Sequence, residues 1–167
     1  MNKYPFQSFP SNIFKYTILT YILFSILPFA SAQQYKMFNG NIYTCSGKIT
    51  DSGGATGNYG KNEKFTTVIC SDNPQYSLLQ LAFGASDIKN GDDLCIYDGI
   101  NTNYPLLTCS SEHNNFPFVV QTTKSNPAGC LTLQFISDNF IQGTGFSADI
   151  SCKPVCQDIM ASIASSV

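Results

Sequence analysis

Leu131-Thr132-Leu133-Gln134-Phe135 and Phe146-Ser147-Ala148-Asp149-Ile150-Ser151 alternate apolar and polar residues with period two, as expected for strands with one buried face. Between them, Ser137-Asp138-Asn139 and Gln142-Gly143-Thr144-Gly145 are dense in turn formers, so the reading predicts a hairpin. The same construction recurs upstream. Asp93-Leu94-Cys95-Ile96-Tyr97 and Tyr104-Pro105-Leu106-Leu107-Thr108-Cys109 flank the turn-rich segment Asp98 to Asn103. Further strands are predicted at Lys64 to Cys70, Ser77 to Gly84, Phe118 to Thr122 and near Gly47 to Thr50. Short strands spaced by turns, with no helical segment between them, indicate an all-β, antiparallel two-sheet sandwich or barrel.

Composition agrees with this class. Of 167 residues only 12% are charged, against 43% hydrophobic and 13% aromatic, well below the roughly 25% charge of an average globular chain. All nine cations are Lys and they form no cluster. Nucleic acid is therefore not an expected partner, because phosphate binding requires a concentrated basic face.

The first 32 residues read as a secretory signal. Lys3 and Lys15 precede the apolar run Tyr16 to Phe29, and Ala30-Ser31-Ala32 follows as a small-x-small cleavage site. The run is too short to span a bilayer, which needs about 20 residues, so no membrane span is expected in the mature chain. Cleavage after Ala32 removes two lysines and leaves seven against eleven carboxylates, a charge of −4. Residues 33–43 read as a lead-in, 44–152 as the sandwich domain, and 153–167 as a tail or the start of a further module. Pro154 marks that boundary, and Ile159, Met160, Ile163 and Val167 follow at helix-like spacing.

All seven cysteines lie beyond the signal, and an exported chain meets an oxidising compartment. Cys-x-x-Cys is absent and His113 is the only histidine, which argues against structural zinc. Six cysteines allow fifteen pairings. A symmetric hairpin would place Cys130 opposite Cys152, and the upstream one Cys95 opposite Cys109, leaving Cys45 with Cys70 and Cys156 unpaired.

A catalytic reading finds little support. His113 stands in the polar loop Ser110 to Asn115, the chain has neither a Gly-x-Ser-x-Gly elbow nor a His-Glu-x-x-His helix, and Glu63 and Glu112 read as surface carboxylates. Gly53-Gly54-Ala55-Thr56-Gly57 lacks the Lys-Ser/Thr of a phosphate loop. Tyr35, Tyr43, Tyr59, Tyr76, Tyr97 and Tyr104 lie in the mature chain, several beside Asn and Gly. A carbohydrate partner would need two or three of them exposed in one plane, whereas a protein partner would use a patch at the loop ends.

The order of motifs resembles a CUB domain. It comprises Cys45, Gly57-Asn58-Tyr59, Cys70, the Leu-x-Phe of 81–83, Asp92-Asp93-Leu94-Cys95-Ile96-Tyr97-Asp98-Gly99, then Phe135-Ile136-Ser137-Asp138 and Gly145-Phe146-Ser147-Ala148. The resemblance covers about residues 44–152. The Cys45-Ser46-Gly47 opening, Asp51 to Gly54 and Gly129 to Thr132 are most similar to CUB-like modules of secreted bacterial proteins. The chain departs from the animal pattern in having no Trp after Cys70 and a cysteine inside the 92–99 string.

The resemblance implies a jelly-roll β-sandwich that serves as a secreted or cell-surface recognition and adhesion module without catalysis. An alternative is an accessory domain of a larger exported hydrolase. For the subset of the family that holds Ca²⁺ between loops, it implies Asp87, Asp92 and Asp138 as metal ligands. Tyr59 is then the supporting residue, and a backbone carbonyl near Asn139 or Phe140 completes the shell. Hard cations favour such oxygen sets, and extracellular modules bind Ca²⁺ at Kd values of roughly 10⁻⁴ to 10⁻³ M. Asp93, adjacent to Asp92, reads equally as an exposed strand residue or as a spare ligand, and Asp98, before Gly99, as a turn former rather than a ligand.

Overall fold

A computed structural model describes residues 32–73, 78–110 and 119–154. Its regular elements among these residues are ten β-strands in two five-stranded sheets. The first sheet orders β1 (Gln34–Lys36), β3 (Ser46–Thr50), β10 (Ser147–Lys153), β5 (Leu78–Phe83) and β8 (Val119–Gln121). The second orders β2 (Gly40–Tyr43), β4 (Lys64–Cys70), β9 (Cys130–Ile136), β6 (Asp93–Tyr97) and β7 (Leu106–Cys109). The edge pairs β1–β3 and β2–β4 are parallel, and every other pairing is antiparallel.

Alternation explains the core. On β5, Leu79, Leu81 and Phe83 are buried while their neighbours are only partly so. Ala148 and Ile150 of β10 and Ile49 of β3 join them from the first sheet. The second sheet supplies Ile42, Ile69, Leu94, Ile96, Leu131, Leu133 and Phe135. These two inner faces make a two-layer β-sandwich, the class expected from the sequence.

The hairpin expected from 131–135 and 146–151 does not form. β9 lies between β4 and β6, whereas β10 lies between β3 and β5 in the other sheet. Alternation fixes which residues point inward and says nothing about which strand is adjacent, and the 137–146 connection crosses between layers.

Two of the three expected cysteine pairings change with it. The bridges are Cys45–Cys152, Cys70–Cys130 and Cys95–Cys109; Cys45–Cys70 and Cys130–Cys152 do not occur. Register gives the reason. Cys70 stands directly opposite Cys130. Ser46 stands opposite Ser151, and one step further along that ladder brings Cys45 to Cys152, with Cα atoms 5.0 Å apart. Only Cys95 and Cys109, facing each other across β6–β7, belong to a local hairpin.

Residues 33–43, read as a lead-in, contain β1 and β2, each at a sheet edge. Residues 1–31 of the segment read as a secretory signal, Tyr76, Glu112, His113 and the part of the tail bearing Cys156 lie outside the described residues. No helix of the described residues is long and apolar enough to cross a membrane.

Candidate functional site

The registers bring three connections to one end of the sandwich. Thr50 pairs with Ser147, Phe83 with Ala148, and Ile136 with both Lys64 and Asp93. The loops 51–63, 84–92 and 137–146 therefore emerge together, carrying Tyr59, Asp87, Asp92 and Asp138.

Tyr59 is the buried post of this end. Its ring meets Phe135 edge-on at 5.0 Å, so the aromatic body is core, and the hydroxyl is buried with it against the loops. That hydroxyl donates a short hydrogen bond to Asp92 Oδ2 and accepts one from the Lys89 N–H at 3.0 Å. Burial, and then the Asp92 carboxylate, hold the Tyr59 phenol above its ordinary range. Asp92 is itself buried, and its Oδ1 accepts the Asp138 N–H at 2.6 Å. Tyr59, Asp92 and Asp138 thus form one hydrogen-bonded chain, as a buried carboxylate requires.

Asp138 turns its own loop. Its Oδ1 accepts the Phe140 N–H at 2.7 Å, and its carbonyl accepts the Asn62 N–H at 2.8 Å. A Cβ at residue 91 would stand 2.3 Å from Asp138 Oδ2, and Gly91 has φ +97°. Glycine is therefore required at 91 both by conformation and by the approach of that carboxylate. Asn139 is exposed beside it.

Asp87 stands apart from this pair. One carboxylate oxygen meets Lys89 Nζ at 2.5 Å and the other accepts the Thr144 N–H at 3.1 Å. Lys89, and then Thr144, hold its carboxyl below the usual range. Among the described residues, only Asp93, Cys95 and Cys109 bring three ligand-type atoms within 4.8 Å of one another. Two of those are sulfurs joined in a bridge. Asp92 and Asp138 are brought together, and Asp87 is held by its lysine. Asp98, read as a turn former, is buried and accepts Asn126 Nδ2 at 2.7 Å and the Thr123 N–H at 3.2 Å. It ties the loop after β6 to the loop after β8.

Sequence reasoning missed Asp51. Its carboxylate is fully buried and accepts the Gly53 N–H at 2.7 Å and the Phe146 N–H at 2.8 Å. An Asp-x-Gly turn signal marks it, but nothing local announces the bond to residue 146. Burial pushes the Asp51 carboxyl above its ordinary range, opposed by the N–H donors of Phe146 and Gly53. Folded Asp51 therefore keeps its proton to higher pH than unfolded Asp51. Its contribution to stability is largest below the ordinary carboxylate pKa near 4 and falls as pH rises through the folded value. Asp87 acts in the opposite sense, supporting the fold above its unfolded pKa and losing that support as pH falls through its folded one. At so exposed a pair this amounts to about 0–1 kcal/mol. Asp51→Asn should flatten the decline in stability seen in urea melts as pH rises above the ordinary carboxylate range. It should also cost about 1–3 kcal/mol at pH 4, because its amide NH₂ faces a backbone donor.

The same loop end carries the most exposed large apolar side chains of the described residues, Phe140 at 76% and Ile141 at 69%. They border an open depression of about 360 Å³ lined with Ile88, Lys89, Asn90 and Asp138.

Comparison with solved structures finds the same architecture elsewhere. The extracellular region of zebrafish Gpr126/Adgrg6 matches 71% of this chain at TM-score 0.55 and 15% identity. The CUB1-EGF-CUB2 region of human MASP-1/3 matches 72% at TM-score 0.54 and 16% identity. The MASP-1 CUB2 domain bound to Ca²⁺ matches 68% at TM-score 0.50 and 16% identity. The matched part is 15% of the first structure, 44% of the second and 98% of the isolated CUB2 domain. No protein-family model and no curated sequence matches the chain. With two five-stranded sheets, three bridges and these neighbours, the chain has a CUB-like fold.

Proposed function

We propose that this is an exported module that binds another extracellular protein through the loop end containing Asp92 and Asp138, organised there by Ca²⁺. The observation that carries the reading is the bond from the Asp138 N–H to the buried Asp92 carboxylate, itself braced by Tyr59. It ties together two loops that each carry a carboxylate, and carboxylate oxygens are the donor chemistry Ca²⁺ selects. The carbonyls of Asn139 and Phe140 lie on the same turn. Asp87 joins the set on exchanging Lys89 for the metal. A Ca²⁺-bound structure among the neighbours supports the same reading.

Phe140 and Ile141 supply the apolar part of the contact. Protein interfaces centre on such anchors in water-excluded patches, and the loop bonds from the Phe140 N–H to Asp138 Oδ1 and from Gln142 Nε2 to the Phe140 carbonyl fix the tip before binding. A protein partner is favoured over a carbohydrate because these two side chains, rather than a plane of tyrosines, dominate the exposed apolar surface of this end.

Millimolar Ca²⁺ acting on a site of Kd ~10⁻⁴ M stabilises the native state by about 1–2 kcal/mol. The melting temperature of the wild type should then rise by roughly 3–8 °C relative to a chelator control. Asp138→Asn, which keeps the side-chain shape, should show no such rise. A wild type indifferent to Ca²⁺, or an Asp138→Asn variant that responds equally, would remove the metal from the account.

A further inference from the structure

Two Asn-Gly pairs occur among the described residues, Asn39-Gly40 and Asn90-Gly91, and the fold treats them differently. Both asparagines are exposed, but Asn39 Oδ1 accepts the Thr66 N–H at 2.8 Å, and the Phe38 ring crowds Gly40, where a Cβ would stand 2.3 Å from Phe38 Cε2. Asn90 is exposed, in the turn ahead of Asp92, and lines the open depression. The positive φ of Gly91 and the proximity of Asp138 require glycine there, so no Cβ ever screens the residue 91 nitrogen from the Asn90 side chain.

We propose that Asn90 is a self-modification site that deamidates spontaneously in the folded protein. The backbone nitrogen of Gly91 loses its proton to solvent base and attacks Asn90 Cγ. A Cγ–N bond forms, the Cγ–Nδ2 bond breaks, and the leaving nitrogen takes up protons and departs as ammonia. Solvent water then opens the five-membered imide at either carbonyl. One product carries aspartate at 90. The other carries isoaspartate, with the main chain lengthened by a methylene. Both add a negative charge beside Asp138. The isoaspartyl form also displaces Asp92, two residues on, whose oxygens are committed to the Tyr59 hydroxyl and the Asp138 N–H.

The test is peptide mass mapping of the folded, oxidised protein during incubation at mildly alkaline pH. Asn90 should convert at least about tenfold faster than Asn39, because reaction at 39 must first open the β2 edge, at a cost above ~1.4 kcal/mol. In the reduced, denatured chain the two sites should convert at similar rates. Asn90→Gln, whose longer side chain closes only a strained six-membered imide, should abolish the more acidic species on ion exchange. Equal conversion of both sites in the folded protein would overturn the proposal. So would an Asn90 that stays intact when folded yet converts when denatured. Incubation in the presence of a chelator keeps both outcomes independent of Ca²⁺ at the loop end.

Discussion

Replacing Cys45 and Cys152 together by alanine should lower the unfolding free energy by about 4–5 kcal/mol, read from guanidinium melts of the oxidised protein. The bridge closes a separation of 107 residues, and the entropy removed from the unfolded chain grows with the length of the closed loop. The corresponding Cys95 and Cys109 double variant opens a separation of only 14 and should lose about 3 kcal/mol. Peptide mapping supplies the independent check, since fragments containing residues 45 and 152 should be joined before reduction. A fragment joining 45 to 70 would refute the pairing.

The second large effect is expected at Phe135. This ring is fully buried in the middle of an aromatic group, edge-on to Tyr59 at 5.0 Å and tilted against Phe146 at 5.9 Å. Phe135→Ala leaves a cavity and should cost about 3–5 kcal/mol. The loss should extend beyond stability, because the cavity removes the wall that aims the Tyr59 hydroxyl at Asp92. Any Ca²⁺-dependent rise in melting temperature should shrink in parallel. Phe135→Leu refills most of the space and should cost under about 2 kcal/mol while keeping the metal response. Equal responses in the two variants would uncouple the aromatic group from the loop end.

Much of the strand content was readable from residue order. Lys64–Cys70 is β4 with the bounds its composition suggests, and Leu78–Phe83 and Val119–Gln121 fall inside the segments read for them. β1 and β2 escaped because three or four residues at a sheet edge carry too little alternation to register. Neighbour identity escaped for a different reason. The pattern of β9 and β10 reports an inward face on each, and two strands of one sheet produce the same pattern as two strands of opposite sheets. The cysteines divide accordingly: 95 and 109 sit on a local hairpin, whereas the partners of 45 and 70 come from β10 and β9, strands far along the chain. At the loop end, Asp92, Asp138 and Tyr59 were reached through family resemblance, since the bonds joining them span 33 and 46 residues. The Lys89 grip on Asp87 and the burial of Asp51 depend on how those loops fold back, which periodicity does not encode.

The Cys45–Cys152 linkage also settles how a pull on the chain is borne. Tension entering before residue 45 and leaving after 152 crosses the sulfur link directly, so the polypeptide between them, with eight of the ten strands, lies outside the line of force. Among the described strands only β1 and β2, as parallel edges, and the last residue of β10, Lys153, sit on the loaded stretch. A tethered copy would yield that short leading segment and then hold, keeping the opposite end in shape while under traction.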